Sequence, residues 1–244
     1  MVRLLVLALL MLSACGTVDF ENAPRGTFEG AALVVWVGPA ADENSGDGRF
    51  LYVPRTGQEL TFLRDPDANV STGNAIIRPE PFYTDGGSIP RAAQAIPGFN
   101  AWGYGPAYII HDWLFVAYRC VQDGMASDAM KPVGNMDFQE SADVMAEMIK
   151  TLAYTYDFKG TETPSGPVIA NVVAGPVSRS LWEKRGQCKA DEVSDDHKDL
   201  VKDINGRAAT LFDRSLAGTA QAVPFTSRAG DRVVVVGVVS LDAF

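Results

Sequence analysis

The N-terminal half of the chain carries short apolar runs rich in valine and aromatic residues, separated by glycine and polar turns. This pattern predicts β-strands, because it suits half-buried, pleated surfaces. We expect strands at residues 27–38, 50–54, 59–64 and 75–78, with Thr56 and Gly57 turning a hairpin between the second and third of them. Residues 232–241 are again valine-rich and predict one closing strand.

Helical spacing begins after Gly105-Pro106, since proline suits the first turn of a helix. A nearly all-apolar helix is expected from there to about Cys120. Further helices are expected from Asp137, over residues 168–184 and over residues 195–216. Strands followed by helices and a single closing strand favour an α+β fold.

The second helix has a clear amphipathic pattern. Asp137 and Glu140 have the spacing of an N-terminal capping box. Apolar residues at 138, 142, 145, 149, 152 and 156 form one stripe. Glu140, Asp143 and Glu147 lie off that stripe, so we expect them on a solvent-exposed face.

The first fifteen residues resemble a bacterial lipoprotein signal. Arg3 precedes the nine-residue apolar run Leu4 to Leu12, which is too short to cross a hydrocarbon core of ~30 Å. The run leads into Leu12-Ser13-Ala14-Cys15, which resembles the lipobox. The resemblance implies cleavage before Cys15 and its acylation. The alternative is an ordinary secretory signal with an incidental cysteine.

This signal sets the expected organisation of the chain. We expect a signal peptide at 1–14, a lipidated tether at 15–26, a main domain at 27–188 and an extension of an acidic helix plus strand at 189–244. The expected location is the bacterial envelope, with the lipid bilayer as partner through Cys15. Gly16, instead of Asp, favours the outer membrane by analogy with enterobacterial sorting.

Charge and cysteine content narrow the function classes. The formal net charge is −9, which argues against a nucleic-acid partner, since such proteins carry a basic face. Cys120 and Cys188 remain after the signal, and an oxidising envelope permits a disulfide between them. Two buried thiols are the alternative. His111 and His197 are the only histidines, and His197, among aspartates, is expected at the solvated surface.

One constellation could carry chemistry. The loop Thr84-Asp85-Gly86-Gly87-Ser88 precedes the predicted helix that bears His111 and Asp112. Asp85 and Asp112 offer the hard oxygen atoms that calcium prefers, and the two glycines can turn backbone carbonyls towards a ligand. Burial in an apolar helix would lower the pKa of His111 and keep it a neutral base.

A structural interpretation of the same residues stays open. Asp85 and Ser88 can cap their own turn, and Arg91 can pair with Asp85 or Asp112. His111 can be a core histidine bonded to a carbonyl or to a tyrosine, with Tyr108 and Tyr118 on its helical face. Thr84, Ser88, Arg91 and their neighbours would then form a structural polar centre.

The motifs T-D-G-G-S-I-P-R, H-D-W-L-F and S-A-D-V-M-A-E-M-I, taken together, resemble a domain family of unknown function seen in phages, prophages and bacteria. The resemblance covers roughly residues 50–185. Phe115 replaces the commoner tyrosine of the second motif. The resemblance brings no activity with it.

A weaker, mechanistic resemblance is to calcium-dependent secreted phospholipases, which also follow a glycine-bearing loop with a helical H-D motif. That resemblance implies His111 as general base, Asp112 with Gly86 and Gly87 at calcium, and Asp143 as the residue that orients His111. The bracing cysteines of those enzymes are absent from this sequence.

Three functions therefore remain, the third being a phage structural or assembly module that acquired a lipobox. The first is a non-catalytic envelope lipoprotein that binds or shields an envelope protein. The second is a calcium-assisted hydrolase of an ester or amide. No nucleophile motif, phosphate loop or zinc-type cysteine and histidine spacing occurs in the sequence, which favours the first.

Overall fold

The computed structural model describes residues 17–38, 48–86, 103–156, 165–206, 225–226 and 232–241, and it has the expected α+β architecture. The strands are β1 Thr27–Glu29, β2 Ala31–Gly38, β3 Arg49–Pro54, β4 Thr61–Leu63, β5 Ile76–Ile77, β6 Phe82–Thr84, β7 Phe225–Thr226 and β8 Arg232–Ser240. The helices are α1 Gly105–Gln122, α2 Phe138–Thr155, α3 Ser165–Val173, α4 Pro176–Trp182, α5 Cys188–Asp191 and α6 Asp195–Gly206. A 3₁₀ turn spans Lys131–Asn135.

The strands form two sheets, and this corrects two sequence predictions. The expected single strand 27–38 breaks at Gly30, whose φ of 83° is unfavourable for other residues and where a Cβ would lie 2.3 Å from the Glu59 carbonyl oxygen. The break separates β1, in a sheet of order β1-β4-β5, from β2, in a sheet of order β6-β3-β2-β8-β7. The expected hairpin at Thr56 and Gly57 is also wrong. A turn does form there, but β3 and β4 belong to different sheets.

The five-stranded sheet is covered on both faces. On β2, Ala32 and Val34 point into the core that contains α1 and α2, whereas Leu33 and Val35 pack with Leu200 of α6. This alternation follows from the two-residue period of a strand. It explains why β2 is apolar almost throughout, since neither face is left to solvent.

The closing strand lies inside this sheet. β8 pairs with β2 from Ala31 opposite Ser240 to Gly38 opposite Arg232, with one irregularity between Val34 and Val35. Residues 189–244, expected as an extension, thus supply a sheet strand and the helix that covers it. The Tyr83 hydroxyl lies 2.7 Å from His197 Nδ1, so His197 is a half-buried contact between β6 and α6 rather than a solvated surface residue.

The two long helices begin as their sequences predict. Pro106 lies in the first turn of α1, which is buried along most of its length. Asp137 caps α2 and accepts a hydrogen bond from the Glu140 backbone N–H at 2.7 Å. The Glu140 side chain does not complete a capping box, because its carboxylate binds Arg64 instead.

The C-terminal helices differ from the prediction in their lengths. The helix expected over 168–184 is two helices, α3 and α4, which Ala174 and Gly175 separate. Pro176 starts the second of them, since proline cannot continue the first. The helix expected over 195–216 is described as far as Gly206, and its remainder lies outside the described residues.

A disulfide joins Cys120 near the end of α1 to Cys188 at the start of α5. Beside it, Arg119 Nη2 lies 2.6 Å from Asp191 Oδ2. Covalent and ionic links therefore attach the short α5 segment to the central helix. None of the helices described is long and apolar enough to cross a membrane.

Candidate functional site

The predicted loop and the predicted helix meet at Thr84 and Asp112. Thr84 ends β6 and points inward, and its Oγ1 donates a hydrogen bond of 2.6 Å to Asp112 Oδ2 on α1. The backbone N–H of Gly86 donates to the same Thr84 oxygen at 3.0 Å. One hydroxyl thus joins the strand end, the turn that follows it and the central helix.

The turn itself requires a glycine. Gly86 has a φ of 75°, in the left-handed region that other residues adopt only at a cost. Asp85, one residue earlier, is exposed. Gly87, Ser88 and Arg91, the remaining residues expected in this centre, lie outside the described residues, as does Cys15.

The environment of Asp112 disfavours its charge. Burial raises the pKa of its carboxyl well above the usual value, and the negative charge of Asp85 raises it further. The Thr84 hydrogen bond and the positive charge of Arg119 act in the opposite direction. Asp85 and Asp112 are therefore close enough to repel each other, and a hydrogen bond or a cation would stabilise the pair.

His111 is buried in α1 without a partner for one ring nitrogen. Its Nε2 makes no hydrogen bond with any residue that the structure describes, and its ring lies against Phe115, with centroids 4.9 Å apart. Desolvation lowers its pKa to about 4, so the ring is neutral at pH 7. A buried polar atom without a partner is uncommon and marks a place where a ligand or water would be stabilised.

Two further polar atoms of α1 share this property. The Tyr108 hydroxyl and the Trp113 indole N–H are buried and make no hydrogen bond within the described part of the chain. Burial raises the pKa of Tyr108, as do the nearby Tyr104 and Asp112. Among the described residues, neither a carbonyl nor a tyrosine hydroxyl bonds His111 Nε2, and the ring of Tyr118 stacks on Trp182 at 4.1 Å.

Asp143 lies in a different environment. It accepts a hydrogen bond from Gln139 Nε2 at 3.1 Å. Burial raises its pKa, and the charges of Asp137, Arg64 and Glu140 act on it. Neither a hydrogen bond nor a charge effect links it to His111. The structure therefore places Asp143 close to the charges of Arg64 and Glu140. No contact between described residues supports the orienting role that the phospholipase resemblance implies.

The face of α2 expected to be exposed is in fact covered, because Arg64 lies on it. Arg64 Nη2 and Nε donate to the two carboxylate oxygens of Glu147 at 2.7 and 2.9 Å, and its Nη1 contacts Glu140. The backbone N–H of Ser71 also donates to Glu140, at 2.9 Å. Arg64 and Glu147 are buried, so this is an ionic group inside the protein.

Sequence reasoning missed Arg64. The available signal was the accumulation of Glu140, Asp143 and Glu147 on one helix face with little basic charge beside them. That pattern fits a solvated face as well as a face that binds a buried cation. The solvated face and the covered face differ only in the tertiary structure, where Arg64, directly after β4, pairs with the two glutamates.

The described residues contain no group of three or more histidine, cysteine, aspartate or glutamate side chains arranged to hold a metal ion. Asp85 and Asp112 supply two carboxylates, which fit part of the oxygen shell that calcium prefers. Of the calcium site expected from the sequence, the described residues therefore include two carboxylates and no complete metal-binding group.

Residues 63–152 match the model of a family described as Protein of unknown function (DUF1353). The matched segment is narrower than the expected 50–185, and it contains both Thr84 and Asp112 as well as Arg64 and its two glutamate partners. No curated protein and no solved structure matches the chain.

Proposed function

We propose that the protein is a lipid-anchored module of the bacterial envelope that binds a partner without catalysis. In this proposal its polar centre is structural and holds the turn after β6 on α1. The observation that carries the proposal is the hydrogen bond between Thr84 and Asp112. The hydroxyl donates to the half-buried carboxyl and itself accepts from Gly86. These two hydrogen bonds hold the 84–86 turn on α1.

The anchoring part of the proposal depends on the sequence around Cys15. The short apolar run and the lipobox-like Leu12-Ser13-Ala14-Cys15 favour acylation at that cysteine. Several acyl chains together attach a protein far more firmly than one. The resemblance of the motifs to a phage- and prophage-associated family favours a role in shielding an envelope receptor or binding an envelope protein.

Growth with an alkyne-labelled fatty acid tests the anchor. We expect the label on the wild-type protein and no label on the Cys15→Ser variant. An unlabelled wild-type protein would refute lipid anchoring.

Calorimetric titration with Ca²⁺ tests whether the polar centre is only structural. We expect the wild-type protein to bind no calcium, and Asp112→Asn to keep its stability, because the amide oxygen still accepts from Thr84 and the substitution removes a charge that burial disfavours. Asp128→Asn is the matched control, since Asp128 is exposed and pairs only with Lys131. Calcium binding that disappears in Asp112→Asn but persists in Asp128→Asn would contradict a purely structural centre.

A second candidate, hydrolysis of an ester or amide, is favoured by one specific observation. The neutral, unpartnered Nε2 of His111 is the form of histidine that can accept a proton from water. In this reading Asp112 and Asp85 would hold calcium, which would polarise the carbonyl group of the substrate. The role of His111 would be to remove a proton from the attacking water.

His111→Ala separates the two functions. If His111 is a general base, hydrolysis should fall by ~10²–10⁴-fold. If it is a core residue, the variant should have a lower melting temperature, and its biological effect should fall only in proportion to the folded fraction. Lipid and ester substrates, assayed beside melting curves of the same samples, provide both readouts.

A further inference from the structure

Helices α3 and α4 expose aliphatic side chains where solvated helices carry polar ones. Val172 and Val177 are 65% and 74% exposed, and Val168 and Leu181 are also exposed. Val168 and Val172 are four residues apart on α3, and Val177 and Leu181 are four residues apart on α4. Each pair therefore lies on one side of its helix. Such a concentration of exposed apolar residues marks an interaction surface.

The core does not require these residues. The inward side of α3 is supplied by Ile169 and Ala170, and that of α4 by Trp182, all of them buried. A helix with an apolar inner side normally carries a polar outer side. Here the exposed residues of the two helices include four aliphatic ones beside the polar Asn171, Arg179 and Ser180. We call Val168, Val172, Val177 and Leu181 together the outer valine face.

The N-terminal segment runs directly beside this face. The backbone N–H of Val18 donates to Asn171 Oδ1 at 3.3 Å, and Asn171 is the neighbour of Val172 on α3. The ring of Phe20 packs on the same helix, since a Cβ at Gly166 would lie 2.9 Å from it. The chain therefore passes α3 just after residue 17.

This position keeps the candidate lipidation site close to α3. Cys15 is two residues before Thr17, and two extended residues span at most ~7 Å. An acyl group on Cys15 would therefore enter a bilayer within a short distance of the outer valine face. The contacts of Val18 and Phe20 with α3 hold the beginning of the described chain beside this helix.

The charge of the same segment suits an anionic lipid surface. Residues 165–187 contain the basic residues Arg179, Lys184 and Arg185 and the acidic residue Glu183. Arg179 pairs with Glu183 at 3.6 Å, so Lys184 and Arg185 carry the excess positive charge of this stretch. The whole chain, in contrast, has a net charge of −9. Basic groups near a membrane are attracted to anionic headgroups, and aliphatic groups beside them enter the interface.

We infer that the outer valine face lies on the bilayer into which Cys15 is anchored. The inference depends on the lipid anchoring proposed above and adds an orientation to it. With α3 and α4 on the lipid, the domain has a fixed orientation relative to the bilayer instead of rotating freely on its anchor. Asp85 and Asp112 then keep a fixed position above the membrane.

Nitroxide labels test this orientation in the full acylated protein, reconstituted in vesicles of phosphatidylethanolamine and phosphatidylglycerol. Val172→Cys and Val177→Cys place labels on the outer valine face, and Val168→Cys and Leu181→Cys are a second pair there. Ile76→Cys is the matched control, because Ile76 is an exposed aliphatic residue of β5, at 57% exposure. Collisions with oxygen and with an aqueous nickel chelate are measured for each label.

We expect several-fold fewer nickel collisions and more oxygen collisions on the outer valine face than at position 76. Equal nickel access at all positions, with Cys15 acylated by mass spectrometry, would overturn the orientation and leave the anchor intact. A Cys15 without acyl mass would overturn both. Protection that rises with protein density but brings no oxygen contact would indicate a second copy of the chain, and would also overturn the inference.

Discussion

The Thr84 hydroxyl connects two positions that are 28 residues apart in the chain. It donates to Asp112 and accepts from Gly86, so both of its hydrogen-bonding capacities are in use. The Asp112 carboxyl is half-buried and close to the negative charge of Asp85. Among the described residues, Thr84 is the side chain that donates to this carboxyl, so we expect the stability of the site to depend on its hydroxyl.

Thr84→Val tests this dependence. The valine has nearly the same shape but leaves the Asp112 carboxyl without its donor, so we expect a loss of about 1–3 kcal/mol in the free energy of unfolding. Urea unfolding measures it. Thr84→Ser, which keeps the hydroxyl, should recover most of the loss, and equal destabilisation by both substitutions would argue against the hydrogen bond.

Asp143→Asn gives a prediction that depends on pH. The raised pKa of Asp143 means that ionisation of this carboxyl disfavours the folded state. That cost is complete above the folded-state pKa and vanishes as pH falls below 3.8, the ordinary pKa of an aspartate. We expect the variant to melt at a higher temperature than wild type at pH 7, with the difference shrinking as pH approaches 4.

Asp128→Asn is the control of opposite sign. The Lys131 hydrogen bond lowers the pKa of Asp128, so its charged form is favoured in the fold and its removal should not raise the melting temperature. If Asp143→Asn instead lowered stability and abolished a hydrolytic activity, the orienting role would regain support.

At the scale of elements, α2 is held to the β4 end through the Arg64 group. Arg64 makes a two-point contact with Glu147 and also binds Glu140. Burial raises the pKa of Glu147 even though Arg64 opposes the effect. The charges of the two glutamates are therefore stabilised inside the protein by the charge of Arg64, and the reverse also holds.

Arg64→Met should destabilise the protein by about 3–5 kcal/mol, because it leaves carboxylates buried without their cation. Chemical unfolding followed by circular dichroism measures this. Lys131→Met, which breaks the exposed pair with Asp128, should cost no more than about 1 kcal/mol.

A compensated variant makes the test sharper. Adding Glu140→Gln and Glu147→Leu to Arg64→Met removes the unpaired charges, so much of the lost stability should return. A triple variant as unstable as the single one would mean that packing of the Arg64 side chain, rather than its charge, holds α2.

For the whole molecule, the Cys120–Cys188 disulfide closes a loop with a sequence separation of 68. A cross-link of this span restricts the unfolded chain and stabilises the fold by ~4 kcal/mol in the chain-entropy model. The loop contains α2, α3 and α4. Its closure therefore restrains the Arg64 partners and the outer valine face together.

Reduction should lower the melting temperature of the wild-type protein and leave that of a Cys120→Ser/Cys188→Ser variant unchanged. The reduced wild type and the double variant should melt at the same temperature. Calorimetry with and without reductant makes the comparison, and a wild-type curve insensitive to complete reduction would contradict a stabilising role.

Local pattern was sufficient for much of the fold. The α+β order, the start of α1 at Pro106, the Asp137 cap and the closing strand all follow from signals within a few neighbouring residues. Of the candidate site, the sequence singled out Thr84, His111 and Asp112, but not which of them touch. It placed Glu140 and Glu147 in solvent, because a solvated acidic face and a covered one look alike in one dimension.

The sequence by itself determined the order of strands and helices and the starts of the two long helices, since periodicity and capping are properties of contiguous residues. Only the tertiary structure decided that Gly30 sends β1 and β2 to different sheets and that β8 lies beside β2. It alone brought Arg64 to Glu147 and left His111 Nε2 without a partner. Strand pairing, ion pairing and burial depend on residues far apart in the chain, and their energies are decided by which surfaces the whole fold removes from water.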